Sequence, residues 1–122
     1  MKAFFTLHLS HYVLFIATFF VFAITCLAHA ILLDSRPAAN QLLHSGNLEI
    51  ALHFNSRVDG ARSQLTLISI DGEKRIPLDG QKDSDKLLAR ASDLKPGTYR
   101  LVWQVLAADG HLTRGQIPFK VQ

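Results

Sequence analysis

The sequence is poor in sulfur: its 122 residues include one cysteine, Cys26, and one methionine, Met1. A lone cysteine excludes an intrachain disulfide. Cys26 lies inside an apolar N-terminal stretch, so removing that stretch leaves a domain whose packing alone must hold it together. A lone methionine excludes a thioether-rich site for a soft metal ion. Blocks of like charge are also lacking, because the 13 Lys+Arg are interspersed with the 10 Asp+Glu. The formal charge of +3 therefore gives no footing for nucleic-acid binding. No sustained helical period runs between Ile31 and Gln122, and no repeat, low-complexity tract or linker divides that region. These absences imply one domain, all-β in class.

The first residues do not belong to it. Lys2 precedes an apolar run of about 17 residues from Tyr12 to Ala28, which is followed by a polar, proline-containing segment. This is the pattern of a secretory signal peptide over residues 1–28, removed on export. Cys26-Leu27-Ala28 places small residues for a cut before His29, and Ala28-His29-Ala30 does so for a cut before Ile31. Processing before Cys26 as a lipoprotein and retention as an anchor are the other options. Composition does not choose among the four.

Residues 29–122 read as short strands with turn signals between them. Leu48, Ile50, Leu52 and Phe54 alternate onto one face of a strand. Leu65–Ile70 follows, then an Asp71-Gly72 hairpin signal into Lys74–Leu78. The segment from Asp79 to Lys86, with acids alternating with lysines, reads as a solvated loop, and Leu87–Ala91 as another strand. After Lys95-Pro96-Gly97, Tyr99, Leu101, Trp103 and Val105 share one face of a strand and fill the core. Ile117, Phe119 and Val121 share a face of the last strand, Gly115–Val121. About seven such strands indicate an immunoglobulin-like antiparallel β-sandwich or small barrel.

The chemistry gathers at Asp109-Gly110-His111. In extended chain the carboxylate and imidazole would project to one side, while Asp-Gly is equally an ordinary turn signal beside which a histidine can simply be solvated. If His29 is the first residue of the exported chain, its free amine and imidazole supply two more nitrogens from a single residue. Three nitrogens and an oxygen form a tetragonal set that favours Cu(II), with zinc a weaker fit. His44 lies in a turn region, His53 on the polar face of its strand as a solvated surface histidine, and Asp34 after the first strand in a capping or turn role.

His29-Ala30-Ile31-Leu32-Leu33-Asp34-Ser35-Arg36-Pro37-Ala38 resembles the mature start of the CopC/PcoC family of periplasmic copper-resistance proteins. Leu94–Trp103, followed by Ala108-Asp109-Gly110-His111 and Gly115, resembles its C-terminal signature, so the likeness covers residues 29–122. The resemblance implies a Greek-key β-sandwich or barrel and a Cu(II) site, one ion per chain, formed by His29, Asp109 and His111. It also implies a cut before His29, a periplasmic location for a soluble mature domain, and a CopD-type inner-membrane partner. The chain departs from the family in four places. The methionine-rich Cu(I) loop is missing; Asn55-Ser56-Arg57 follows Phe54 where an acidic residue is common; Asn40 replaces a glycine; and Leu112 replaces a proline.

The function implied is Cu(II) sequestration or delivery, without enzymatic activity. The alternatives are an immunoglobulin-like interaction module without metal and a histidine-brace copper oxidase; against the latter, Asp109 would fill a position that oxygen activation needs open. The intact mass of the exported protein is expected to correspond to residues 29–122. A mass beginning at Ile31 would remove the chelating amine.

Overall fold

The computed structural model describes residues 29–122, so the leader assigned to residues 1–28, Cys26 included, lies outside the described residues. Among the described residues, eight strands form two sheets. In chain order they are β1 (Leu32–Arg36), β2 (Gln41–Leu43), β3 (Leu48–Phe54), β4 (Val58–Ser69), β5 (Gly72–Ile76), β6 (Lys86–Ala91), β7 (Gly97–Ala107) and β8 (Leu112–Val121). One sheet has the order β1-β3-β6 and the other β2-β8-β7-β4-β5. Together they make an all-β sandwich.

The alternation read from the sequence becomes the interior. Leu48, Ile50, Leu52 and Phe54 of β3 are buried, as are Leu87 and Ala89 of β6. From the opposite sheet come Leu65 and Leu67, then Tyr99, Leu101, Trp103 and Val105, then Ile117, Phe119 and Val121. Each row uses the two-residue period of a strand to place every second side chain in the same layer. Phe54 and Trp103 meet across the sheets edge to face, with ring centroids 5.3 Å apart. Tyr99 stacks on Phe119, its cross-strand partner, and its hydroxyl donates to the Lys95 carbonyl at 2.6 Å.

Several boundaries differ from the sequence reading, each for a physical reason. The hairpin after β4 turns at Ile70-Asp71, one residue earlier than expected, because Ser69 pairs with Gly72. Gly72 takes a φ of 121°, and Ile70, expected to end the strand, is 99% exposed. β2 lies in the turn region expected around His44; it is three residues long and pairs in parallel with β8, a contact that local pattern does not encode. Leu87–Ala91 pairs with β3, and only the isolated Leu78–Ala89 bridge links it to the segment after β5. Asn40 does adopt the left-handed conformation of the glycine it replaces, with φ 63°.

The Asp79–Lys86 segment is more than a solvated loop. Gln81 donates to the carbonyls of Val58, Ser84 and Lys86 and accepts from the Gly60 N–H. The Asp85 and Ser84 carbonyls accept from Phe54 and Val58. The segment thus braces the passage from β3 to β4.

Trp103 depends on a small residue opposite it. Gly115 is its pairing partner on β8, and a Cβ at position 115 would lie 2.3 Å from Trp103 Cζ2. Gly115→Ala is expected to displace the indole and lower stability by about 1–3 kcal/mol, the usual cost of overpacking a core. Chemical denaturation of the two proteins checks this.

Candidate metal centre

The three residues singled out at the two ends of the chain meet at one end of the sandwich. One potential ligand atom from each of His29, Asp109 and His111 lies within 4.8 Å of the others, and all three residues are exposed. The His29 and His111 rings stand edge to face with centroids 5.0 Å apart.

Asp109 and His111 converge by a different route from the one expected. They do not alternate along an extended strand; they sit in the turn between β7 and β8. Ala107 donates to the His111 carbonyl at 2.9 Å, Gly110 donates to the Ala107 carbonyl at 3.0 Å, and Gly110 takes a φ of 86° that favours glycine. Asp109 folds back on this turn: Oδ1 accepts from the His111 N–H at 3.1 Å and Oδ2 contacts Nδ1 of the His111 ring at 2.5 Å. This is the self-capping habit of aspartate in turns. Among the described residues the turn engages only Nδ1 of the His111 ring, so the ring can be oriented from one nitrogen while Nε2 faces a ligand.

The Asp109 side chain is 19% exposed. Desolvation opposes its ionisation, but the His111 N–H, the His111 ring and the nearby charges of His111 and His29 outweigh it and hold the carboxyl below its usual value. The carboxylate form, which a metal requires, is thereby favoured.

His29 arrives by the other end of the chain. Ala30 is 1% exposed and joins the core cluster, and Ile31 exchanges hydrogen bonds with Asn55 before β1 begins its ladder with β3. His44 lies outside the three-residue group.

His53 is not the solvated surface histidine expected from alternation. It occupies the outer face as read, yet its Nδ1 lies 3.0 Å from Asp34 Oδ2 and its Nε2 lies 3.1 Å from Asp85 Oδ2. Asp34, expected to cap or turn, is a β1 residue paired with His53 in the ladder, and Asp85 comes from the segment before β6. Lys86, opposite His53 on β6, turns instead to Asp83 at 3.6 Å. The triad ties edge strand β1 to its neighbours. Because its ligand-type atoms address opposite sides of one ring, it makes an ion-pair cluster and no chelating site. The missed signal was cross-strand, since Asp34, His53 and Asp85 are far apart in sequence.

Residues 32–122 match the family described as the CopC domain. Protein YobA of Escherichia coli (strain K12) is 34% identical over 99 residues, covering 78% of this chain and 80% of that protein. The copper transport protein CutJ of Bacillus subtilis (strain 168) is 28% identical over 102 residues, which cover 80% of this chain but 19% of CutJ. Among solved structures, CopC from Methylosinus trichosporium OB3b superposes with a TM-score of 0.69 at 29% identity, covering 77% of this chain and 94% of that one. PcoC, a methionine-rich copper resistance protein from Escherichia coli, shares the fold at a TM-score of 0.63 and 23% identity, covering 78% and 100%.

His53 generates a prediction of its own. The Asp34 bond comes first in raising its pKa above 6.5; partial desolvation opposes this, and the bond and charge of Asp85 add to it. A raised folded-state pKa contributes stability below the unfolded value that is lost as pH rises through the folded one. Relative to His53→Gln, the wild-type chain is expected to gain most in denaturant midpoint between about pH 5 and 6.5 and to lose that advantage at higher pH. Paired urea titrations across this range measure it.

Proposed function

Because this chain belongs to the CopC family, we propose that it is a periplasmic Cu(II)-binding protein, holding one ion per chain through His29, Asp109 and His111. It sequesters copper or hands it to an inner-membrane partner of CopD type. The observation that carries this reading is the approach of three ligand atoms, from the two ends of the chain, to within 4.8 Å of one another.

The donor set is suited to the ion. Two imidazoles, a carboxylate and, with export cleavage before His29, an α-amine form a nitrogen- and oxygen-rich set of the kind that Cu(II) takes in tetragonal geometry. The chain's single methionine precedes the domain, so the soft ligands that stabilise Cu(I) are not available from Met side chains in residues 29–122. In this respect it differs from PcoC, which is methionine-rich. The exposure of His29 and His111 suits a protein that must both load and release its ion.

The delivery half of the proposal draws on CutJ. There a stretch similar to this chain makes up 19% of a copper transport protein, which supports associating such a domain with copper movement. Copper is cargo in this reading, and Asp109 completes the ligand set where an oxygen-activating centre would need an open position.

His111→Ala removes one ligand and leaves the Asp109 carboxylate in place. Cu(II) affinity, measured by chelator competition on the exported protein, is expected to fall by more than about a hundredfold, beyond the loss usual for an outer-shell partner. An unchanged affinity would sink the site as drawn.

A further inference from the structure

We propose that Asn55 is a positioning residue for the copper ligand His29: its carboxamide pins the N-terminal arm to the same three-residue connector that holds the Asp109–His111 turn. This rests on the copper site proposed above and names what sets its dimensions.

A ligand at the beginning of an exported chain is at a disadvantage, because terminal residues fray unless something ties them down. β1 starts only at Leu32, three positions after His29. The arm between them is held at two points. Ala30 is buried, and the main chain of Ile31 is gripped on both sides by Asn55. The Asn55 N–H donates to the Ile31 carbonyl at 2.9 Å, and the Ile31 N–H donates to Asn55 Oδ1 at 2.8 Å. The first bond uses only backbone, so any residue at position 55 can make it. The second needs a side-chain acceptor one carbon from Cβ.

The other half of the site hangs from the same connector. Asn55-Ser56-Arg57 carries the chain from β3 to β4, and the Arg57 carbonyl accepts from the Ala108 N–H at 3.1 Å. The next residue, Val58, pairs with Ala107. Asp109 follows Ala108 directly. The connector therefore touches the arm with its first residue and the ligand-bearing turn with its last. Only Ser56 separates the two holds, and the distance from His29 to the Asp109–His111 pair is referred to this short span.

Asn55 is itself exposed, outside the core, so losing its side chain should disturb where the arm sits more than whether the domain folds. That separates a positioning role from a merely structural one.

The test uses the exported protein in four forms: wild type, Asn55→Ala, Asn55→Asp and His111→Ala. Cu(II) affinity is read by chelator competition, the coordination by electron paramagnetic resonance, and the stability of the metal-free chains by thermal unfolding. Asn55→Ala is expected to weaken Cu(II) binding roughly three- to tenfold, the scale of one hydrogen bond. It should also replace a single copper signal by a mixture, with the unfolding midpoint moved by no more than a few degrees. Asn55→Asp keeps the acceptor and should restore the single signal. Wild-type affinity and spectrum in Asn55→Ala, while His111→Ala has lost binding, would overturn the role of Asn55 and leave the copper site standing. Equal loss in the Ala and Asp variants would likewise overturn it. Retained affinity in His111→Ala would remove the site, and this assignment with it.

Discussion

The antiparallel ladder between β7 and β8 is the constraint on which the rest of this structure depends. It runs for ten pairs from Gly97–Val121 to Leu106–Leu112. One face of it supplies Tyr99, Leu101, Trp103, Val105, Ile117 and Phe119 to the interior, so its register decides the packing of the larger sheet. The same register decides where the chain must turn. Since Leu106 is paired with Leu112, the five residues Ala107–His111 must reverse the chain between them, and two of those residues are the candidate ligands Asp109 and His111. A slip by one residue would expose the aromatic row and aim the turn away from His29 at the same time. The close fit of Trp103 on Gly115 opposes such a slip.

The smaller sheet serves the other half of the site. β1 is an edge strand of five residues with a register shift between Leu32 and Asp34, and an edge strand so short has few ladder bonds to hold it. Polar contacts supplement them on both sides of the shift: Asn55 on Ile31 before it, and His53 on Asp34 after it. His53 continues to Asp85, and the Asp79–Lys86 segment in turn accepts the Phe54 and Val58 N–H groups. The connector between the sheets is thus supported from below by this segment and bears the two stretches that carry the candidate ligands above.

Much of this was legible in local pattern. The interior rows of β3, β6, β7 and β8 follow from two-residue alternation of Leu48–Phe54, Leu87–Ala91, Tyr99–Val105 and Ile117–Val121, because a strand covered on one side needs that period. The three candidate ligands were readable as residue types: a histidine beside an export cleavage motif and an Asp-x-His near the C-terminus. Their proximity was not readable from residue type or spacing alone. The resemblance to CopC proteins supplied it as an expectation, and the family match over residues 32–122 agrees with that resemblance. Where local reading failed, the contact concerned was non-local. The parallel β2–β8 pairing, the folding of Gln81 onto the β3–β4 passage and the Asp34–His53–Asp85 triad each join segments with no shared local signal.

By itself, the sequence determined which side chains face inward, where the chain can reverse, and which donor atoms it could offer a metal ion, since each of these depends on residue type and short-range spacing. Tertiary structure alone decided the gathering of His29 beside the Asp109–His111 turn and the capture of His53 between two carboxylates. The reason is that a distance between two chain segments is set by strand register and sheet packing, which sum over many pairs at once. No single stretch of residues carries that sum.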